Sequence, residues 1–184
     1  MKAFRTGLLA VVLAAGLAAP SFAAIYDIDT THSTIGFSVK HLTVTEVQGN
    51  FKTFSGTIVF DSNNAATTRI DATIETKSIN TQNDGRDNHL RGADFFDADN
   101  NPNITFKSKS VIASGDTYNV TGDLTIKGVT KEVIIPLTVS GPVTNPMGGG
   151  QVIGLSGQTK INRQDYGVKW NKQMDQGGLM VSDN

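Results

Sequence analysis

The feature that most constrains this chain is an alternation of polarity with a period of two. Between positions 69 and 77, Ile70, Ala72, Ile74 and Thr76 interleave with Arg69, Asp71, Thr73, Glu75 and Lys77. An extended backbone therefore puts the apolar groups on one face and the charges on the other. The same rhythm returns at Ile35, Phe37 and Val39, and at Ile58 and Phe60. It recurs at Ile104, Phe106 and Ile112, at Tyr118, Val120, Leu124 and Ile126, and at Val133, Ile135, Leu137 and Val139. A last run is Leu155, Gly157, Thr159 and Ile161. Turn-forming segments separate these runs: Asn63-Asn64, Ser114-Gly115-Asp116, Lys127-Gly128-Val129-Thr130 and Gly148-Gly149-Gly150. Sequential strands on short connections are most simply antiparallel, and one-sided alternation means one dry face and one wet face.

Two all-β architectures satisfy this pattern, a sandwich or a sheet closed as a barrel, and periodicity does not separate them. Gly36, Gly122 and Gly157 lie inside strands, where glycine permits the sharp bend that a small barrel needs, which favours closure. The β rhythm breaks between Thr81 and Asn101. That stretch carries Asp84, Arg86, Asp87, His89 and Arg91, then turns apolar at Phe95-Phe96. It is expected to form one or two short helices near residues 82–97 that lid one end, with Leu90 facing inward and Phe95 and Phe96 as a plug.

The N-terminus has a different character. Lys2 and Arg5 precede an apolar run from Gly7 to Ala19, and Ala19-Pro20-Ser21-Phe22-Ala23 ends in small residues suited to signal peptidase. Residues 1–23 are expected to be a cleaved signal peptide and 24–184 the folded domain. The apolar run falls short of the roughly 20 residues that cross a bilayer, so no stable membrane insertion is expected. Without Lys2 and Arg5, 14 basic residues face 17 acidic ones, which argues against nucleic acid, whose phosphates call for a basic face. The chain has no Cys, which removes disulfides, thiolate metal sites and a Cys nucleophile.

Several strings carry a family resemblance. They are Tyr26-x-Ile28-Asp29-x-x-His32-Ser33, Val47-x-Gly49-x-Phe51, Ser78-Ile79-x-Thr81 and Arg86-Asp87-x-His89-Leu90-Arg91. Further along come Asp94-Phe95-Phe96-Asp97, Pro102-x-Ile104-Thr105-Phe106-x-Ser108, the unbroken run from Gly122 to Lys131, and Ile161-Asn162-Arg163-x-Asp165-Tyr166-Gly167. In this order the chain resembles the YceI-like family from about residue 25 onward. The resemblance implies an eight-stranded antiparallel lipocalin-like barrel in a secreted, periplasmic protein, with a polyisoprenoid or another long-chain amphiphilic lipid in its apolar interior. Family members finish with a complete strand after the segment matching Gly178-Leu179-Met180-Val181. Here only Ser182-Asp183-Asn184 follow, so the last strand is expected to be missing or only a stub.

On that reading, the tail-lining candidates are Ile35, Phe37, Val39, Phe51, Phe54, Ile58, Phe60, Ile74, Leu90, Phe95, Phe96, Phe106, Leu124 and Ile126. Each could equally be ordinary core. A phosphorylated head group would want Arg or His, and Arg86, His89, Arg91 and Arg163 are the candidates. Arg86 could instead pair with Asp87, and Arg163 could fix a turn with Asp165. His32, His41 and His89 lack ligand spacing, so no metal and no cofactor are expected. No Gly-x-Ser-x-Gly elbow, phosphate loop or dinucleotide fingerprint occurs, so no enzymatic activity is expected. The alternative is a secreted β-domain that binds a protein or polysaccharide on its outer face. Its signal would be aromatics on the polar side of strands, yet Tyr118 and Phe60 fall on the apolar side. The sequence leaves a homo-oligomer open.

Overall fold

In the computed structural model, residues 23–175 and 177–184 are described. The chain runs through β1 (Ala24–Asp27), β2 (Ile35–His41), β3 (Thr45–Phe51), β4 (Phe54–Phe60), β5 (Arg69–Glu75) and β6 (Ile79–Asn80). The helix α1 (Asp84–Arg91) follows, then β7 (Asn103–Ser114), β8 (Thr117–Ile126), β9 (Val129–Thr144) and β10 (Gln151–Gly157). Every pairing is antiparallel. Seven strands form one sheet in the order β1-β4-β5-β7-β8-β9-β10, and β2-β3-β6 form a smaller one.

The two sheets are halves of one barrel-like wall. β1 leads into β2, β3 into β4 through Lys52-Thr53, and β5 into β6 through a 3-10 turn at Thr76–Ser78. Three long staves thus break side by side, and bonds from Lys52 N to Ser78 O (3.1 Å) and Glu75 N to Thr53 O (2.9 Å) bridge the break. Counted this way, ten segments make seven staves. The eighth is the expected stub: Leu42 N donates to Met180 O (2.7 Å), Ser182 N to Lys40 O (2.9 Å), and Val181 bridges His41. The result is a nearly closed antiparallel lipocalin-like barrel, with β1 and β10 as the edges of the large sheet.

Local chemistry explains the turns. Lys127 and Gly128 join β8 to β9 as a two-residue turn with φ of 49° and 73°, the left-handed pair that matches strand twist. Lys127 Nζ then reaches Ala93 O at 2.8 Å, tying this turn to the lid. Asn83 caps α1 by accepting from Arg86 N (2.9 Å), and Asp84 and Asp87 suit the positive end of the helix dipole. Of the one or two short helices expected for the lid, α1 is the one that forms, and residues 92–101 continue as bends and turns.

Some expected strand positions shift. β7 and β8 slip register between Ser108 and Ser110, where Lys109 is an extra residue. The bulge reverses the alternation beyond it, so Val111 is buried and Ile112, expected inward, is 64% exposed. β10 stops at Gly157, leaving Thr159 and Ile161 outside it. β9 is longer than Val133–Val139 at both ends. β1 and β3 are additions that alternation did not reveal: β1 is short, and β3 has Gly49 where a side chain would collide with the Phe37 ring. Gly122 plays the same part under Phe106, whose Cζ would lie 2.6 Å from an added Cβ.

Apolar side chains gather in two clusters along the axis. One surrounds Phe51, Phe54, Ile74, Ile79, Ile104 and Ile126 and is capped by Phe95, Tyr166 and Val168. The other surrounds Ile58, Phe60, Ile70, Phe106, Val111 and Val120. Ile28 and Leu124 touch both clusters. The first marks the lidded end and the second the mouth.

Candidate ligand-binding interior

The lid is fixed by hydrogen bonds to the main chain. Asp87, 1% exposed, accepts from Thr81 N (2.9 Å) and Thr81 Oγ1 (2.5 Å). Arg86 donates to Thr81 Oγ1 (2.7 Å) and Thr81 O (2.8 Å), so Arg86 and Asp87 meet through Thr81 rather than directly. Arg91 donates to Lys77 O and Ile79 O, both at 2.8 Å. His89 lies edge-on to Phe95 (4.9 Å) and Trp170 (5.2 Å), with Nε2 3.2 Å from Asp94.

Arg163 anchors the tail. It donates to Ser182 O (2.8 Å), Val168 O (2.7 Å), Trp170 O (2.9 Å) and Val181 O (3.3 Å). Burial draws its pKa down, against the opposing pull of Asp183. Its carboxylate neighbour is thus Asp183 at 3.7 Å, not Asp165. All three head-group arginines are therefore committed to carbonyl oxygens, and their donors hold the lid and tail in place.

The tail-lining candidates divide into two sets. Phe51, Phe54, Ile58, Phe60, Ile74, Phe95, Phe106 and Ile126 are buried against their neighbours. Ile35, Phe37, Val39, Leu90, Phe96 and Leu124 are only partly buried. Other partly buried inward groups, absent from the sequence-based candidates, are Tyr26, Tyr118, Val133, Ile135, Leu137, Val139, Ile153 and Leu155. Those on β9 and β10 pack against the mouth cluster from the side of the open edge, and solvent reaches them. The alternation of β9 and of Leu155 was legible, but it does not tell a filled face from an unfilled one.

Polar groups inside the wall are few. Tyr166 Oη, Thr76 Oγ1 and Thr68 Oγ1 are buried without a hydrogen-bond partner. Tyr166 is 2% exposed within the lidded cluster, and burial raises its phenol pKa. The only hint of it in the sequence was its place in Asp165-Tyr166-Gly167. Two open hollows lie elsewhere: one of about 390 Å³ beside Lys40, Thr43 and Leu179, and one of about 420 Å³ beside Thr53, Thr73 and Pro102. Neither is lined by the inward rows of β9 and β10. Among the described residues, no three His, Asp or Glu side chains cluster as metal ligands, and no helix is long and apolar enough to cross a membrane.

An antiparallel barrel with one end plugged by a lid, and inward apolar rows that solvent still reaches at the other, is a lipocalin-like architecture. The chain belongs to the YceI-like domain family, which matches residues 26–184. UPF0312 proteins of Staphylococcus aureus strains N315 and MW2 are each 42% identical over 156 residues, covering 85% of this chain and 89% of theirs. The crystal structure of Burkholderia cenocepacia BcnA aligns with a TM-score of 0.74 at 30% identity, over 85% of this chain and 92% of BcnA. The Campylobacter jejuni YCEI protein aligns at 0.63 and 38% identity, over 77% and 83%. A polyisoprenoid binding domain from Saccharophagus degradans shares the fold, at a TM-score of 0.60 and 20% identity, over 80% and 82%.

Proposed function

We propose that this chain is a non-enzymatic carrier that holds a polyisoprenoid or similar long-chain amphiphile along the inward rows of β2, β9 and β10. The observation that carries the reading is uneven filling. Inward side chains on β4, β5 and β7 are covered by the protein itself, whereas those on β9 and β10 are half-exposed. An unfilled apolar row is costly in water, and a hydrocarbon chain laid along it removes that cost. Each buried CH2 contributes about 0.8 kcal/mol, so one isoprene unit gives roughly 3–4 kcal/mol before immobilisation costs, and a few units suffice. The fold shared with a polyisoprenoid binding domain is in keeping with this cargo.

The signal peptide expected at residues 1–23, outside the described residues apart from Ala23, would deliver the carrier to the periplasm. His89 is the one proposed head-group candidate whose side chain makes no bond to the main chain, and Tyr166 Oη joins it as a donor at the lidded end. The test is native purification, extraction into organic solvent and mass spectrometry. The reading expects a stoichiometric long-chain lipid. A clean extract, with no uptake of added polyprenol, overturns it.

A further inference from the structure

The β9–β10 hairpin outruns the rest of the barrel. Pairing of β9 with β8 ends at Thr138 opposite Thr117, yet β9 continues to Thr144 and stays paired with β10. Residues beyond Val139 therefore project past the β7–β8 turn at the mouth.

This projection is without charge. Residues 133–159, 27 in succession, contain no Asp, Glu, Lys, Arg or His, in a chain that is 18% charged. Its end is apolar and exposed: Val143 (58%) sits opposite Val152 (43%), and Met147 at the tip is 91% exposed. Three amides of the loop are paired within it. Asn145 N donates to Gly150 O (2.9 Å), Gly148 N to Asn145 O (3.1 Å) and Met147 N to Asn145 Oδ1 (3.0 Å). Val143 and Val152 share the outer face of the hairpin, while Ile153 and Leu155, at alternate positions of the same strand, pack against the mouth cluster from the inner face.

The absence of charge and the exposed Val and Met suit the boundary between lipid head groups and acyl chains, where a charge is expensive. A protein interface would instead be expected to offer hydrogen-bonding groups and complementary charge. We propose that the hairpin tip docks reversibly on a lipid bilayer through Val143, Met147 and Val152, presenting the mouth to the membrane. The purpose of this contact rests on the carrier reading, but its chemistry does not.

Because the chain lacks Cys, Met147→Cys places a single environment-sensitive fluorophore (NBD) at the tip. With vesicles of pure phosphatidylcholine, its emission is expected to rise and shift to the blue, equally at low and high salt, since no charge takes part. In the unlabelled protein, Met147→Asp with Val143→Asp, both at exposed positions, is expected to lower co-flotation with these vesicles about tenfold or more. Uptake of polyprenol from vesicles should fall with it, while binding of detergent-presented polyprenol stays unchanged. A silent fluorophore overturns the proposal, as does equal flotation of the double variant. So does flotation that needs anionic lipid and disappears in salt, or a tip signal that tracks self-association in sedimentation instead of vesicle concentration. If the fluorophore responds but no polyprenol binds by either route, the carrier reading fails and the docking stands.

Discussion

The lidded end and the mouth are built from the same alternating strands, yet they differ in what fills them. At the lidded end, segments outside the sheet supply the filler: Phe95 and Phe96 after α1, and Tyr166, Val168 and Trp170 after β10. At the mouth no comparable segment among the described residues turns inward, and Leu137, Val139, Ile153 and Leu155 stay half-covered. Whether a barrel becomes a solid core or a container is decided by its connections, because the strands carry one apolar face in either case.

The contrast can be broken most forcefully with paired substitutions. Phe54→Ala removes a ring buried at the lidded end and is expected to cost about 3–5 kcal/mol in urea unfolding. Leu155→Asp changes a half-exposed lining position. It is expected to cost the empty protein only about 1 kcal/mol, while lowering polyprenol affinity about tenfold or more. Equal stability losses for the two would erase the distinction between filled and unfilled ends.

A smaller effect sharpens the description of the lid. Tyr166 Oη is buried without a partner, so Tyr166→Phe is expected to stabilise the protein, by about 1 kcal/mol. Burial raises the phenol pKa, which means that the folded state favours the neutral form. That contribution is complete below the ordinary tyrosine value of 10.0 and is lost as pH climbs through the raised native value. Urea midpoints between pH 9 and pH 11 should therefore fall less steeply in the Phe variant. A steeper fall, or a loss of stability at neutral pH, would mean that the hydroxyl has a partner.

The smallest effect lies along β2. The amide of Leu42 is bonded to Met180 O, whereas Gly36 and Ser38, on the same edge, lie beyond the stub. Hydrogen exchange should be slower at Leu42 than at Gly36 and Ser38. Equal protection would mean that the seam is closed along its whole length.

Much of the fold was legible in the sequence. β5 could be read from charges on alternate positions, the β8–β9 turn from Lys127-Gly128, and the lid from the loss of rhythm after Thr81. β3 was hidden because Gly49 interrupts the pattern on behalf of Phe37, a contact between strands that periodicity does not carry. The arginines were harder still. Arg86, Arg91 and Arg163 looked like anion ligands because a guanidinium fits phosphate, but main-chain carbonyls satisfy it too, and carbonyls leave no mark in a sequence. The partly filled rows of β9 and β10 were invisible for a related reason, since filling is a property of the whole barrel.

The extra residue at Lys109 acts as a frameshift in space. Downstream of it the strand keeps its composition but swaps its inner and outer readings, which is why Val111 lies inside and Ile112 outside. Deleting that single position would turn the bulge into a regular ladder with Val111 still inside and Ile112 still outside, whereas ironing the bulge flat with Lys109 kept would push Ile112 into the wall and turn Val111 out to water.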